Sequence, residues 1–78
     1  MNLVEAVEKF PPIWTIYDHP KDHPTCFVIR VWYGEVPGPI VGCTDSIKEA
    51  RSQVVGHGAS CCLGRDFSDD PVIVEAWI

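Results

Sequence analysis

The spacing of apolar and polar positions along this chain switches between helical and strand periods, and the switches mark its elements. In residues 3–9, LVEAVEK, Leu3, Val4 and Val7 fall at helical spacing, with Asn2 as a candidate cap and Pro11-Pro12 as a stop. Residues 13–17, IWTIY, are aromatic and β-branched and read as a strand. Residues 26–33, CFVIRVWY, give the clearest strand pattern of the chain. The intervening DHPKDHPT holds two prolines, which cannot donate to a ladder and which restrict the residue before them, so the pair reads as a long-looped hairpin. GEVPGP is a second turn region, followed by a short strand, IVGC, at 40–43. TDSIKEARSQVV, residues 44–55, opens with the cap candidates Thr44, Asp45 and Ser46, and Ser46 with Glu49 has capping-box spacing. Ile47, Ala50 and Val54 then share one helical face, and Gly56 is expected to end the helix. GHGASCCLGRDFSDDP reads as a loop with a short strand at 60–63, and PVIVEAWI (71–78) as a terminal strand with Pro71 at its first position.

The order α-β-β-β-α-(β)-β predicts one small α+β domain spanning residues 1–78. It holds an antiparallel or mixed sheet of three to five strands, one main helix on one face and a short N-terminal helix. No internal repeat, low-complexity tract or linker divides it. Strand alternation sorts the faces. Phe27, Ile29, Val31 and Tyr33 form one set on the second strand, and Cys26, Val28, Arg30 and Trp32 the other. On the terminal strand Val72, Val74, Ala76 and Ile78 oppose Ile73, Glu75 and Trp77. The uniformly apolar sets are expected beneath the main helix. The mixed sets, each with a charge beside a tryptophan, are expected on the second face.

Composition narrows the function classes. At 78 residues and 8.7 kDa, about 60% of the unfolded surface can be buried, enough for one thin core. A deep substrate cavity would compete for the same few apolar residues, which argues against an enzyme. The hydrophobic fraction of 46% excludes a disordered chain. Six Lys and Arg against a net charge of −5 leave no basic stripe for phosphates, so nucleic acid is not expected as a partner. An acidic surface suits a basic protein partner or simple solubility. MNLVEAVEKFPP has neither the basic nor the long apolar region of a signal peptide, and no stretch approaches a membrane span. The expectation is a cytoplasmic protein with no membrane partner, whose cysteines Cys26, Cys43, Cys61 and Cys62 are thiols.

PIWTIYDHPKDHPTCFVIRVW together with DDPVIVEAWI resembles a group of small proteins encoded by phages and prophages of proteobacteria. Their pattern is W-T-I-Y-x-x-P-x-D-x-P-x-x-[FY]-V-x-R-x-W, an acidic helix with EAR, and a terminal D-D-P-x-I-V-E-x-W-[IV]. The match runs from Trp14 to Ile78. The group has no assigned activity, so the resemblance implies a phage setting in a bacterial host cytosol and carries over no catalytic residues. His19 and His23 depart from the group, which argues against a metal site shared across it.

The sharpest chemical pattern is H-x3-H-x2-C, formed by His19, His23 and Cys26, with Cys61 and Cys62, or His57, to complete a soft tetrahedral site. Structural zinc sites show two tight knuckles, whereas here each histidine precedes a proline and the second cluster is Cys-Cys. Exposed loop histidines are therefore the favoured reading, and no metal or other cofactor is expected; a small zinc-binding regulatory domain is the alternative. A Cys61 nucleophile would need His57 as its base and a third group to orient that base, and the glycine-containing segment between the two places nothing rigidly. Asp69-Asp70 is turn chemistry before a strand rather than a catalytic pair. The glycines form no phosphate cradle. Arg30 and Glu75 are expected to pair across strands. Trp32 and Trp77 beside them, with Val28 and Ile73, would form an apolar patch of the kind that marks an interface, unless the N-terminal helix folds over it. The chain is thus expected to be a non-enzymatic protein-binding module. Its partner is a host factor that it inhibits, in the manner of anti-defence proteins such as anti-CRISPRs, or a second copy that forms a homodimer through the uncovered face.

Overall fold

The computed structural model describes residues 1–64 and 71–78. Its elements are α1 (Leu3–Lys9), β1 (Pro12–Asp18), β2 (Phe27–Tyr33), β3 (Val36–Thr44), α2 (Ile47–Gly56), β4 (Cys62–Gly64) and β5 (Ile73–Trp77). The five strands form one antiparallel sheet in the order β3-β2-β1-β5-β4. The α+β class, the main helix on the sheet and the short N-terminal helix agree with the sequence reading.

β3 is longer than the expected 40–43. Pro37 and Pro39 lie within it, and the strand accommodates them because it is an edge strand whose outer backbone groups need no ladder partner. Two register shifts against β2, between Ile29 and Arg30 and between Arg30 and Trp32, absorb its extra residues.

α2 begins at a Ser46 cap, whose side chain accepts the Glu49 N–H at 3.4 Å. The Ser46 N–H donates to Thr44 Oγ1 at 3.2 Å, so threonine supplies the second half of the capping arrangement. The helix ends one step later than the sequence suggests. Gly56 is its last residue, and Gly58, at φ 109°, makes the left-handed turn. Gly58 N–H donates to the Val55 carbonyl at 3.0 Å and Ala59 N–H to the Val54 carbonyl at 3.1 Å, the paired bonds of a Schellman motif.

The core lies between α2 and the sheet. Ile16 and Ile29 from the centre of the sheet meet Ala50 and Val54 of α2 and Ala59 just beyond it, with Trp14, Phe27, Val41, Ile47, Val74 and Trp77 packed around them. Full burial of Ile16, Ile29 and Val54 contributes about 1.5–3 kcal/mol each. α1 packs against β2 and β3 through Ala6, which is fully buried, while Val4 is 70% exposed. The apolar positions that define α1 in the sequence therefore do not all face inward.

The terminal strand corrects the expected face assignment. β5 is bulged where Ile16 opposes Glu75 and Tyr17 opposes Ile73, leaving Val74 as the extra residue. Val74, Glu75 and Trp77 consequently lie on the α2 side, and Ile73 and Ala76 on the other.

Candidate functional site

The second face of the sheet has two halves. At the hairpin end the loop after β1 folds back over it. Pro20, Asp22 and His23 from that loop enclose a small cavity of about 70 Å³ with Tyr17, Val28, Arg30 and Ile40. Val28 is buried there at 3% exposure. Two tight turns shape the loop: His23 N–H donates to the Pro20 carbonyl at 2.9 Å, and Cys26 N–H to the His23 carbonyl at 3.4 Å. The other half is an open groove of about 410 Å³ lined by Ile13, Thr15, Tyr17, Trp32, Ile73 and Ala76 of the sheet, with Leu63 and Gly34 at its rim. No residue of either helix lines it. Trp32 Nε1 donates to Tyr17 Oη at 2.9 Å, which fixes the two large rings relative to each other. Among the described residues the groove presents apolar surface and two hydroxyls, Thr15 and Tyr17, and none of those that line it carries a carboxylate, imidazole, thiol or amine.

Of the face predicted from sequence, Trp32, Arg30, Val28 and Ile73 are on this second face. Glu75 and Trp77 are not. Glu75 points at α2, where Arg51 Nη2 donates to its Oε1 at 2.8 Å and Arg51 Nε donates to Oε1 at 3.2 Å and to Oε2 at 3.3 Å. Trp77 Nε1 donates to Oε2 at 2.6 Å, and the Cys62 thiol lies 3.5 Å from the same oxygen. The expected Arg30–Glu75 pair is therefore replaced by Arg51–Glu75 on the opposite face. Burial pushes the Glu75 carboxyl up. The hydrogen bonds from Arg51 and Trp77, the Arg51 charge and the Cys62 contact together outweigh burial and hold it below the ordinary glutamate range. This cluster ties α2 to β5 through Arg51 and Glu75.

The predicted metal set is also taken apart. His19, in the left-handed region at φ 48°, pairs with Asp18 and sets its ring edge-on to Phe27, a residue of the α2 side. His23 goes to the other side of the sheet. Cys61 and Cys62 lie at β4, three strands away from β2, or about 14 Å at 4.7–4.9 Å per strand. They cannot share an ion with Cys26. Nor are all four cysteines thiols: Cys26 and Cys43 are joined in a disulfide, and Cys61 and Cys62 are free. Pairing of Val28 with Cys43 brings the two cysteine backbones to a Cα separation of 5.8 Å, within disulfide range. The His23–Cys26–Cys43 grouping was missed in sequence because Cys43 belongs to a different strand. His57 stacks on Trp14 at a centroid distance of 6.4 Å, and no hydrogen bond joins it to Cys61 among the described residues. Asp69 and Asp70 lie outside the described residues.

Comparison with protein-family models, with curated proteins and with solved structures finds no match to the chain. Nothing among the described residues points to catalytic activity, and none of their helices is long and apolar enough to cross a membrane.

Proposed function

We propose that this chain is a small acidic protein-binding module that takes its partner on the open half of the second sheet face. The observation that carries the reading is the groove around Trp32 and Tyr17. Its described lining is mainly apolar and aromatic, its two rings are held by a hydrogen bond, and neither α1 nor α2 lines it. Tryptophan, tyrosine and arginine dominate binding energy at protein interfaces, and Arg30 stands on the same face beside Trp32. The described residues of the lining offer no acid, base or nucleophile, which suits recognition rather than turnover.

The net charge of −5 favours a partner with a basic rim around an apolar anchor. The resemblance to phage and prophage proteins supports a host factor as that partner and inhibition of it as the outcome, with anti-defence proteins the fitting class. A second copy of the chain, docked face to face, is the other occupant the groove admits. The test uses wild type and Trp32→Lys as paired baits in host lysate, with sedimentation velocity on each. Wild type captures a defined protein, or sediments as a dimer, and the folded variant does neither. Equal capture and equal sedimentation by both proteins, with dichroism showing both folded, would overturn the reading.

A further inference from the structure

We propose that His23, Cys26 and Cys43 form a redox-gated site for a soft divalent cation of the zinc type, closed as a disulfide in the oxidised chain and opened by two-electron reduction. The ligand atoms of the three residues lie within 4.8 Å of one another. A tetrahedral zinc ion with Zn–S bonds near 2.3 Å and Zn–N bonds near 2.0 Å needs its ligand atoms about 3.5–3.8 Å apart, so small side-chain rotations suffice. Two independent features of the backbone aim them. The His23–Cys26 turn, closed by the Cys26 N–H on the His23 carbonyl, is a two-residue-spaced knuckle, the arrangement that lets both ends of a turn grip one ion. The β2–β3 register, with Val28 opposite Cys43, delivers the third ligand from a separate strand. Two thiolates and a neutral imidazole would cancel the ion's charge, and Asp22 and Arg30 beside His23 in the small cavity offset each other. A water molecule completes the fourth position.

Cys43 is exposed and Cys26 buried, which fixes the order of events. A small external thiolate attacks Cys43 Sγ. The sulfur–sulfur bond breaks, and its electron pair leaves with Cys26 as a thiolate. A second external thiol attacks the mixed disulfide on its outer sulfur and releases Cys43 as a thiolate. The protein disulfide has then gained two electrons, and two external thiols have become one external disulfide with release of their protons. Metal uptake itself involves no redox change: the two cysteines lose any protons they hold, form two metal–sulfur bonds, and His23 adds the lone pair of a ring nitrogen.

The test uses the full chain carrying Cys61→Ser and Cys62→Ser, which removes the two thiols outside the triad. The protein is reduced with a trialkylphosphine, desalted under argon and titrated with Co²⁺ alone, then with Zn²⁺ alone. The reduced protein is expected to bind one Co²⁺ with thiolate-to-metal charge-transfer absorption, which Zn²⁺ displaces; the oxidised protein binds none. His23→Ala in that background weakens binding by about ten-fold or more, as the loss of one of three protein ligands requires. Recovery of the disulfide by His23→Ala on reoxidation, with native far-UV dichroism, shows that the variant folds. If reduction loosens the sheet, Co²⁺ restores its dichroism in the parent and not in His23→Ala. Equal Co²⁺ uptake by the oxidised protein, no uptake or restoration in the reduced protein, or unchanged affinity in His23→Ala would each overturn the proposal.

Discussion

Glu75 is the one strongly engaged charge in the interior among the described residues, 5% exposed and held by Arg51, Trp77 and Cys62 at once. Its carboxyl is held below the ordinary range, so the folded state binds a proton there less readily than the unfolded chain does. The stabilisation is therefore fully present above the unfolded glutamate pKa of about 4.3 and is lost as pH falls through the lower folded value. Thermal melts should show a plateau from neutral pH to about 5 and a decline below it. Glu75→Gln keeps the shape but gives up the charged bonds, with an expected loss of about 1–3 kcal/mol at pH 7 and a flatter profile in acid. An unchanged acid limb in the variant would show that other carboxylates set it. Strict alternation along the terminal strand sets this glutamate against Arg30, and a single bulge residue, Val74, moves it to the other face. Bulges leave no mark on hydrophobic period, so this error is intrinsic to reading strands by alternation.

At the scale of elements, α2 was the most legible part of the chain. Its cap, its buried positions Ala50 and Val54 and its glycine-rich end could all be read locally, because capping and helical period act over a few residues. The sequence reading ended the helix at Gly56, whereas Gly58 makes the turn, and the two glycines offer a test with opposite signs. Gly58 carries the left-handed turn at φ 109°, so Gly58→Ala should cost about 1–3 kcal/mol. Gly56 is helical, and open space surrounds the point where a Cβ would stand, so Gly56→Ala should gain about 0.5–1 kcal/mol. Chemical denaturation of the two variants decides it, and a gain at position 58 would contradict the Schellman ending. β3 was harder to read. Its Pro37 and Pro39 argue against a strand unless the segment is known to be an edge, and edge position depends on the order of the whole sheet.

The whole molecule is a sheet with the α2 core on one face and an open groove on the other, and that division was only half legible. The β2 sets separated as alternation requires, with Ile29 in the core and Trp32 in the groove. The pairing of Cys26 with Cys43 could not be read, since it depends on the register of β3 and on how the hairpin loop folds back. Thiol titration of the native oxidised protein should count two reactive groups, Cys61 and Cys62, and two more after reduction. Opening a cross-link with a sequence separation of 17 should lower stability by about 3 kcal/mol in the chain-entropy account. The two tryptophans at opposite faces then separate function from folding. Trp77 packs on the core cluster and donates to the buried carboxylate of Glu75, so Trp77→Lys loses packing and leaves that acceptor short of a donor. The expected cost is about 3–5 kcal/mol, or a fall of roughly 4–8 °C in melting temperature for each kcal/mol, enough to unfold a marginal domain of this size. Trp32 lines the open groove, and its replacement by lysine removes one hydrogen bond to Tyr17 and apolar surface that is only partly buried. Trp32→Lys should stay folded, with a loss of about 1–2 kcal/mol, and lose partner binding or self-association. Far-UV dichroism with sedimentation velocity reads both outcomes in one pair of samples. A folded, binding-deficient Trp77→Lys beside an unfolded Trp32→Lys would invert the assignment of the faces and place the interface beneath α2.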